Sequence, residues 1–449
     1  MLFRAAGVGG GRKCRKGQDM DERLVRKMLS FRWLVFGILA VGYALVYFHR
    51  LSLSVVANDL ARDFDATNTM LGVLSSVYFY CYAAMQFPAG LLSDSIGPRR
   101  TVMYSLLVGA AGSFLFALAP GMNVALAARV MVGLGVSMVF IPALKMVSQW
   151  FRAREFALMS GILQAAGGVG ILGATWLLGL LATWFGWRLS FHIIGVCTVL
   201  TVAAVWLLVR DKPADKGWPS IAEIEGRAEQ ASPGQGKIGL WQGARRVVSE
   251  GAFWPVAVWF FFDCGVFFGF GGLWAGPYLM HTYGLSKGQA GAILSMIAWA
   301  MILGSPLLGV LSQRVFQSRK KTFILCTSAL VVLLLFLNIF PAGLPHIVLY
   351  LWFFLFSVSS SAIVIMAFTM TKELFPVEMA GTSVGMVNFF PFFGGAVFMP
   401  VLGRVLDAYP KSVAGVYPVA SYRMVLVILL LASLISLACT FVMKETYRK

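Results

Sequence analysis

Charge is scarce in this sequence: Asp, Glu, Lys and Arg make up 12% of its 449 residues, about half the share of an ordinary soluble domain. With 59% hydrophobic residues, a water-soluble chain would carry more apolar surface than one core could bury. That excludes a soluble globular protein and leaves lipid as the solvent. The six cysteines (Cys14, Cys81, Cys197, Cys264, Cys326 and Cys439) are scattered without CxxC spacing, so neither a disulfide framework nor a metal site follows. Neither a Walker lysine nor a GxGxxG ahead of a helix occurs, which leaves an ion or substrate gradient as the energy source. Because no nucleophile and base pair or metal cluster stands out, a membrane enzyme is disfavoured and no cofactor is expected. The first 30 residues, rich in Gly, Arg and Lys, lack the apolar core of a signal peptide and read as a tail.

What the sequence does have is apolar runs of about 20 residues. They fall near 31–58, 70–92, 101–119, 122–149, 156–183, 189–209, 252–280, 288–312, 322–341, 346–371, 380–406 and 420–443. Backbone groups in hydrocarbon need internal partners, and these runs lack the alternation of a barrel, so an all-α integral membrane fold with twelve transmembrane helices is expected. The one long polar interruption, rich in Gly, Pro, Glu and Lys, follows the sixth run. It divides the chain into a tail at 1–30, a six-helix bundle at 31–209, a central loop at 210–250, a second six-helix bundle at 251–443 and a tail at 444–449.

The formal charge of +18 points to topology rather than to nucleic acid. About 28 of the 37 basic residues lie in the termini and alternate loops and about six in the opposite loops, which places both termini and the central loop on the cytoplasmic face. An internal repeat supports two halves: GLLSDSIGPRR (Gly90 to Arg100) follows the second run, and a degraded copy, GVLSQRVFQSRK (Gly309 to Lys320), follows the eighth. SGILQ, ending in Gln164 on the fifth run, is echoed by VGMVN, ending in Asn388 on the eleventh. Parallel halves of this kind are a transporter architecture with the substrate site between them.

These residues resemble the major facilitator superfamily. GLLSDSIGPRR is similar to its loop signature, with Gly90, Asp94, Gly97, Arg99 and Arg100 in place, and RVMVGLG (Arg129 to Gly135) is similar to its fourth-helix signature. The resemblance runs from about residue 31 to 443 and implies the two-half fold and alternating access. In that reading the loop is a conformational latch: the glycines permit a tight turn and close helix approach, and Asp94 pairs with Arg99, Arg100 or a neighbouring helix end in one state. The competing reading is that the motif only sets topology.

Three basic residues lie inside apolar runs, Arg50, Arg129 and Lys145, against one acid well inside, Asp263. A central arginine costs about 2.5–3.5 kcal/mol on insertion scales, so these side chains must face the bundle interior. The uncompensated positive charge calls for an anionic substrate held by a guanidinium fork. For Arg50 the alternative is a structural pair with Asp263 or with backbone carbonyls. For Arg129 it is helix packing. Tyr47, one turn before Arg50, is a further pocket candidate. Gln164 and Asn388 either line the cavity or bond helices together.

Within the superfamily, YFHRLSLSVVANDL most resembles the first helix of the organophosphate:phosphate antiporters and the anion:cation symporters, whose arginine binds substrate anion; SQWFRAREFA and FGWRLSF resemble that group too. Arg129 aligns with an arginine of its anion pocket, and Lys145 lies where some members carry another polar residue. The chain departs in two ways. Phosphate-ester antiporters carry a second arginine six residues before a tryptophan of the seventh helix, where this chain has Phe268 ahead of Trp274; phosphate exchange is therefore disfavoured. The acids that proton-coupled anion symporters carry beside the first arginine and seven residues after the second are His49 and Val136 here. That leaves His49 and Asp263 as ion-coupling candidates. The glycine-rich QAAGGVGILGATWLLG lacks the Gly-Pro pair of drug:proton antiporters.

The resulting expectation is a monomeric secondary transporter of a small organic anion, a carboxylate, in a bacterial inner membrane, with the lipid bilayer and protons as its other partners. Two alternatives stay open: an exporter or exchanger of another small metabolite, and a transporter-like ligand sensor, which would call for an added signalling domain.

Overall fold

The computed structural model describes residues 22–225, 240–375, 379–412 and 416–447, and these are helical with short connections. The first half comprises α1 (Glu22–Leu51), α2 (Leu53–Asp63), α3 (Asn68–Ala84), α4 (Gln86–Ser95), α5 (Pro98–Leu118), α6 (Met122–Ser137), α7 (Phe140–Trp150), α8 (Ala153–Leu172) and α9 (Leu178–Leu208). On the central connection lie α10 (Ile221–Ile224) and α11 (Leu240–Ser249). The second half comprises α12 (Phe253–Val266), α13 (Ala275–Tyr283), α14 (Lys287–Leu294), α15 (Met296–Val310), α16 (Arg319–Ile339), α17 (His346–Ser359), α18 (Val364–Leu374), α19 (Ala380–Val387), α20 (Phe389–Asp407) and α21 (Val419–Val442).

Helix occupies each of the twelve expected apolar segments, but several are broken near their middles. Nine helical stretches among the described residues, some of them containing such breaks, are long and apolar enough to cross a membrane. One of them, Arg154–Leu208, has 55 residues, about 80 Å of helix and too long for a single crossing. It turns back at Gly186, whose φ of +76° is open to glycine and strained for other residues. The broken segments are α1/α2, α3/α4, α6/α7, α14/α15, α17/α18 and α19/α20; wide π-type turns lie at 173–177, 267–274 and 311–315. Such breaks are tolerated at membrane depth where neighbouring helices or a cavity satisfy the freed backbone. Helix α1 begins at Glu22, so the charged turns before the apolar run are already helix. The rest of the expected tail, through residue 21, lies outside the described residues.

The repeated loops have a shared way of ending. At Gly97 the backbone adopts φ +92° and Asp211, just after α9, packs against the turn. Its Oδ1 accepts from the Arg99 backbone N–H at 2.6 Å, capping α5, while the Arg99 guanidinium donates to the carbonyls of Val205 (3.4 Å) and Trp206 at the end of α9. In the second half Glu445, just after α21, accepts from the backbone N–H groups of Arg319 (3.0 Å) and Lys320 (3.2 Å) and from Ser318 Oγ, capping α16. Lys320 Nζ meanwhile reaches the Phe441 carbonyl at 2.6 Å. An N-terminal helix end favours a carboxylate because its first N–H groups have no partner within the helix. Two unlike sequences therefore build the same joint between the third and sixth segments of each half. Arg100 is exposed. Gly90 and Asp94 lie on α4, and the side chain of Asp94 falls outside what the structure describes.

Candidate functional site

The break between α1 and α2 places Arg50 on the seam between the halves. Its side chain is 5% exposed, and no carboxylate among the described residues is paired with it. Its Nε has no hydrogen-bond partner. Four aromatic rings surround the guanidinium instead, at 4.2 Å (Tyr47), 4.8 Å (Tyr82), 5.0 Å (Phe392) and 5.8 Å (Phe268) from carbon to ring centroid. Ring faces attract a cation through their quadrupoles, but they supply no counter-charge. Tyr47 and Tyr82 come from the first half, Phe268 and Phe392 from the second, so both halves touch the same cation. Phe268 reaches it from the π-type turn 267–274. It fits because position 395 is glycine, where a Cβ would stand 2.9 Å from the Phe268 Cβ.

Amides bracket this cage. Gln164 accepts from the Tyr43 hydroxyl at 2.9 Å and donates to the Tyr47 hydroxyl at 3.1 Å, which fixes the ring beneath Arg50. At the α19/α20 break, Asn388 donates to Gln86 Oε1 at 2.9 Å, and Gln86 lies at the α3/α4 break, where it donates to the Tyr82 carbonyl at 3.2 Å. Gln164 and Asn388, matched by the sequence echo, thus both lie close behind cage residues, one within its half and the other across the seam.

The other expected cations do not join Arg50. Arg129, 1% exposed, donates from both terminal nitrogens to the His49 backbone carbonyl at 3.3 Å, and it lies over the Tyr78 ring at 4.9 Å. The guanidinium satisfies a carbonyl freed near the break and so holds Arg50 from behind. The Lys145 Nζ donates to the Ser93 carbonyl at 3.0 Å, at the basic end of α4. Sixteen residues separate it from Arg129, about 24 Å along a helix.

The coupling candidates are both fully buried. Asp263 accepts from Ser360 Oγ at 2.7 Å through Oδ2, while Oδ1 has no partner. It lies inside the second half, at the α17/α18 break, and is not paired with Arg50, which removes the structural pair considered for that arginine. Both ring nitrogens of His49 are without a partner. The sequence reading missed Tyr82, Phe392, Gln86 and Tyr43. Tyr82 carried a signal, since an arginine on a neighbouring span invites a ring, but aromatics are so abundant here that this one did not stand out.

Away from the basic loops the halves are stitched together. Asp407, ending α20, accepts from the Asn68 N–H (2.9 Å), the Thr69 N–H (2.7 Å) and the Thr69 hydroxyl (2.6 Å), and so caps α3 across the seam. Ser54 Oγ donates to the Leu273 carbonyl at 3.1 Å and accepts from the Gly276 N–H at 3.1 Å. Lys287 pairs with Asp59 at 2.6 Å. At Gly72 a Cβ would stand 2.5 Å from the Pro400 Cα, so only glycine allows these backbones to meet.

Two helical halves with broken helices around a buried arginine that has no carboxylate beside it define a multi-pass membrane protein of the transporter kind. The chain belongs to the Major Facilitator Superfamily, whose profile matches residues 39–390 and again 261–449. Among similar proteins, the hexuronate transporter of Bacillus subtilis is 24% identical over 80% of this chain and 85% of its own length. A probable galactarate/D-glucarate transporter of the same organism is 24% identical over 85% and 87%. An uncharacterized transporter of that species is 30% identical over 188 residues, 42% of this chain and 43% of that one. A bacterial homolog of the human lysosomal transporter Spinster, solved inward-facing and unoccupied, superimposes with a TM-score of 0.72 at 17% identity, covering 92% of this chain and 97% of that one. This last likeness is one of fold.

Proposed function

We propose that this protein is a secondary carrier that moves a small organic anion, a carboxylate, by alternating access around Arg50. The observation that carries the reading is the buried guanidinium on the seam with no carboxylate beside it. A charge so placed is costly unless a partner arrives, and a carboxylate matches its fork with two parallel hydrogen bonds. Relatives named for hexuronate and galactarate/D-glucarate support an anionic cargo. Tyr47 and Gln164 orient the receptor, Arg129 braces its backbone, and Asn388 with Gln86 forms the contact beneath it. The excess of basic residues supports cytoplasmic termini, and the bacterial relatives support a bacterial inner membrane. The stitched face is then the outer one, and the state described opens inward.

Arg50→Ala abolishes uptake into proteoliposomes while the protein still inserts, and Arg50→Lys does the same because a point charge lacks the fork. Counterflow at wild-type rates in Arg50→Ala vesicles would refute the assignment. Binding without exchange of any anion would instead make the chain a sensor. In the proton-coupled form of this reading the proton resides on Asp263 or His49. The pair of substitutions Asp263→Asn and His49→Gln then removes acid stimulation of uptake; its persistence in the double variant places coupling elsewhere.

A further inference from the structure

The surroundings of Arg50 narrow the class of anion, on the reading that this site carries one. A single cation is available: the Arg129 guanidinium is spent on the His49 carbonyl and the Lys145 ammonium reaches the Ser93 carbonyl at the end of α4. A second carboxylate on the substrate would therefore enter a low-dielectric site with no counter-charge. The polar groups nearest the cage bond one another: Gln164 with Tyr43 and Tyr47, Asn388 with Gln86. Hydroxyls arriving along a sugar backbone would have to break those bonds or lie unpaired against carbon.

The wall facing Arg50 from the second half is aromatic. Phe268 lies 4.9 Å from Phe79 and 6.3 Å from Phe392, nearly parallel to the latter at 19°, and Phe392 lies 4.3 Å from Tyr82. Phe268 and Phe392 are both buried, 6% exposed each, so the rings beside the guanidinium form a dry, apolar wall. Rings paired like this accept another flat apolar group by offset or edge contact.

We propose that the substrate is a monocarboxylate with a flat, apolar body, an arenecarboxylate or arylacetate, whose carboxylate docks on Arg50 while its ring enters the Phe268, Phe392 and Phe79 cluster. Substrate then replaces second-half rings on the guanidinium, and its own body becomes the contact that both halves share.

The test is competition in a counterflow assay with purified wild-type protein, using phenylacetate, benzoate, acetate, glucuronate and glucarate. Phenylacetate is expected to compete at least about tenfold better than glucuronate or acetate, the discrimination typical of an apolar pocket for one well-placed group. Phe268→Ala is expected to cut the ratio of phenylacetate to acetate competition to near one, whatever it does to the absolute level of exchange. Phe268→Leu, which keeps an apolar side chain without a π face, guards against a folding defect and is expected to show an intermediate loss. Stronger competition by glucuronate or glucarate overturns the aromatic assignment and leaves the anion carrier standing. Absence of exchange with every anion overturns both.

Discussion

At the end of the seam away from the basic loops, backbone meets backbone. Gly72 lies against Pro400, Asp407 caps the first turn of α3, and Lys287 reaches Asp59. Toward the basic loops, the halves meet through the hydrogen bond of Gln86 with Asn388 and through ring contacts such as Tyr82 with Phe392 at 4.3 Å. The first kind of contact is short-range and demands close register, because a charged acceptor on helix N–H groups or a bare glycine works at one spacing only. The second tolerates a shift of an ångström and can be replaced by water. On the proposed reading, the carrier holds one gate by close backbone register and the other by softer contacts, and the bias between its two states would lie in that difference.

Three substitutions break that contrast, in falling order of effect. Gly72→Val forces a side chain into Pro400 and is expected to disfavour the closed outer gate by about 1–3 kcal/mol, the usual penalty of overpacking. Measured in a cysteine-free background carrying Asn58→Cys, thiol labelling from outside should rise steeply. Unchanged labelling would mean that the seam at Gly72 is not part of the gate. Asp407→Asn keeps the shape but removes the charged acceptor, with an expected loss of about 1–2 kcal/mol. The same labelling should rise less than in Gly72→Val, and uptake should slow as the closed outer state becomes rarer. Lys287→Ala removes a part-exposed ion pair worth about 0–1 kcal/mol and should change labelling by a few-fold at most. If Lys287→Ala outranked Asp407→Asn, long-range charge rather than helix capping would hold the gate.

Much of the fold was legible because membrane insertion writes it locally. Apolar runs, basic loops and the loop repeat each follow from a rule that acts within about 20 residues. Arg50 and Tyr47 were legible for the same reason: a charge in an apolar run is anomalous wherever it lies. Asp407 was not, since an acid at a helix end looks solvated until α3 is brought beside it. Phe268 was noticed as a missing arginine, and only the packed structure turns that substitution into part of the cage. Lys145 bonds the Ser93 carbonyl on α4, a partner that composition read without depth could not supply. Asp211 and Glu445 form matching joints with no shared sequence motif, since a cap needs only a carboxylate at the right place in space.

Those joints bear on temperature. With the sixth segment of each half capping the third, the helix ends at the basic loops are satisfied before any motion begins, and neither half has to melt a turn to rotate. Switching state then exposes only the surface of the seam, a small fraction of what unfolding a helix pair would expose, so its heat-capacity change is small. The turnover rate of this carrier should follow a nearly straight Eyring plot across the range in which the protein stays folded, with curvature appearing only once a cap is cut.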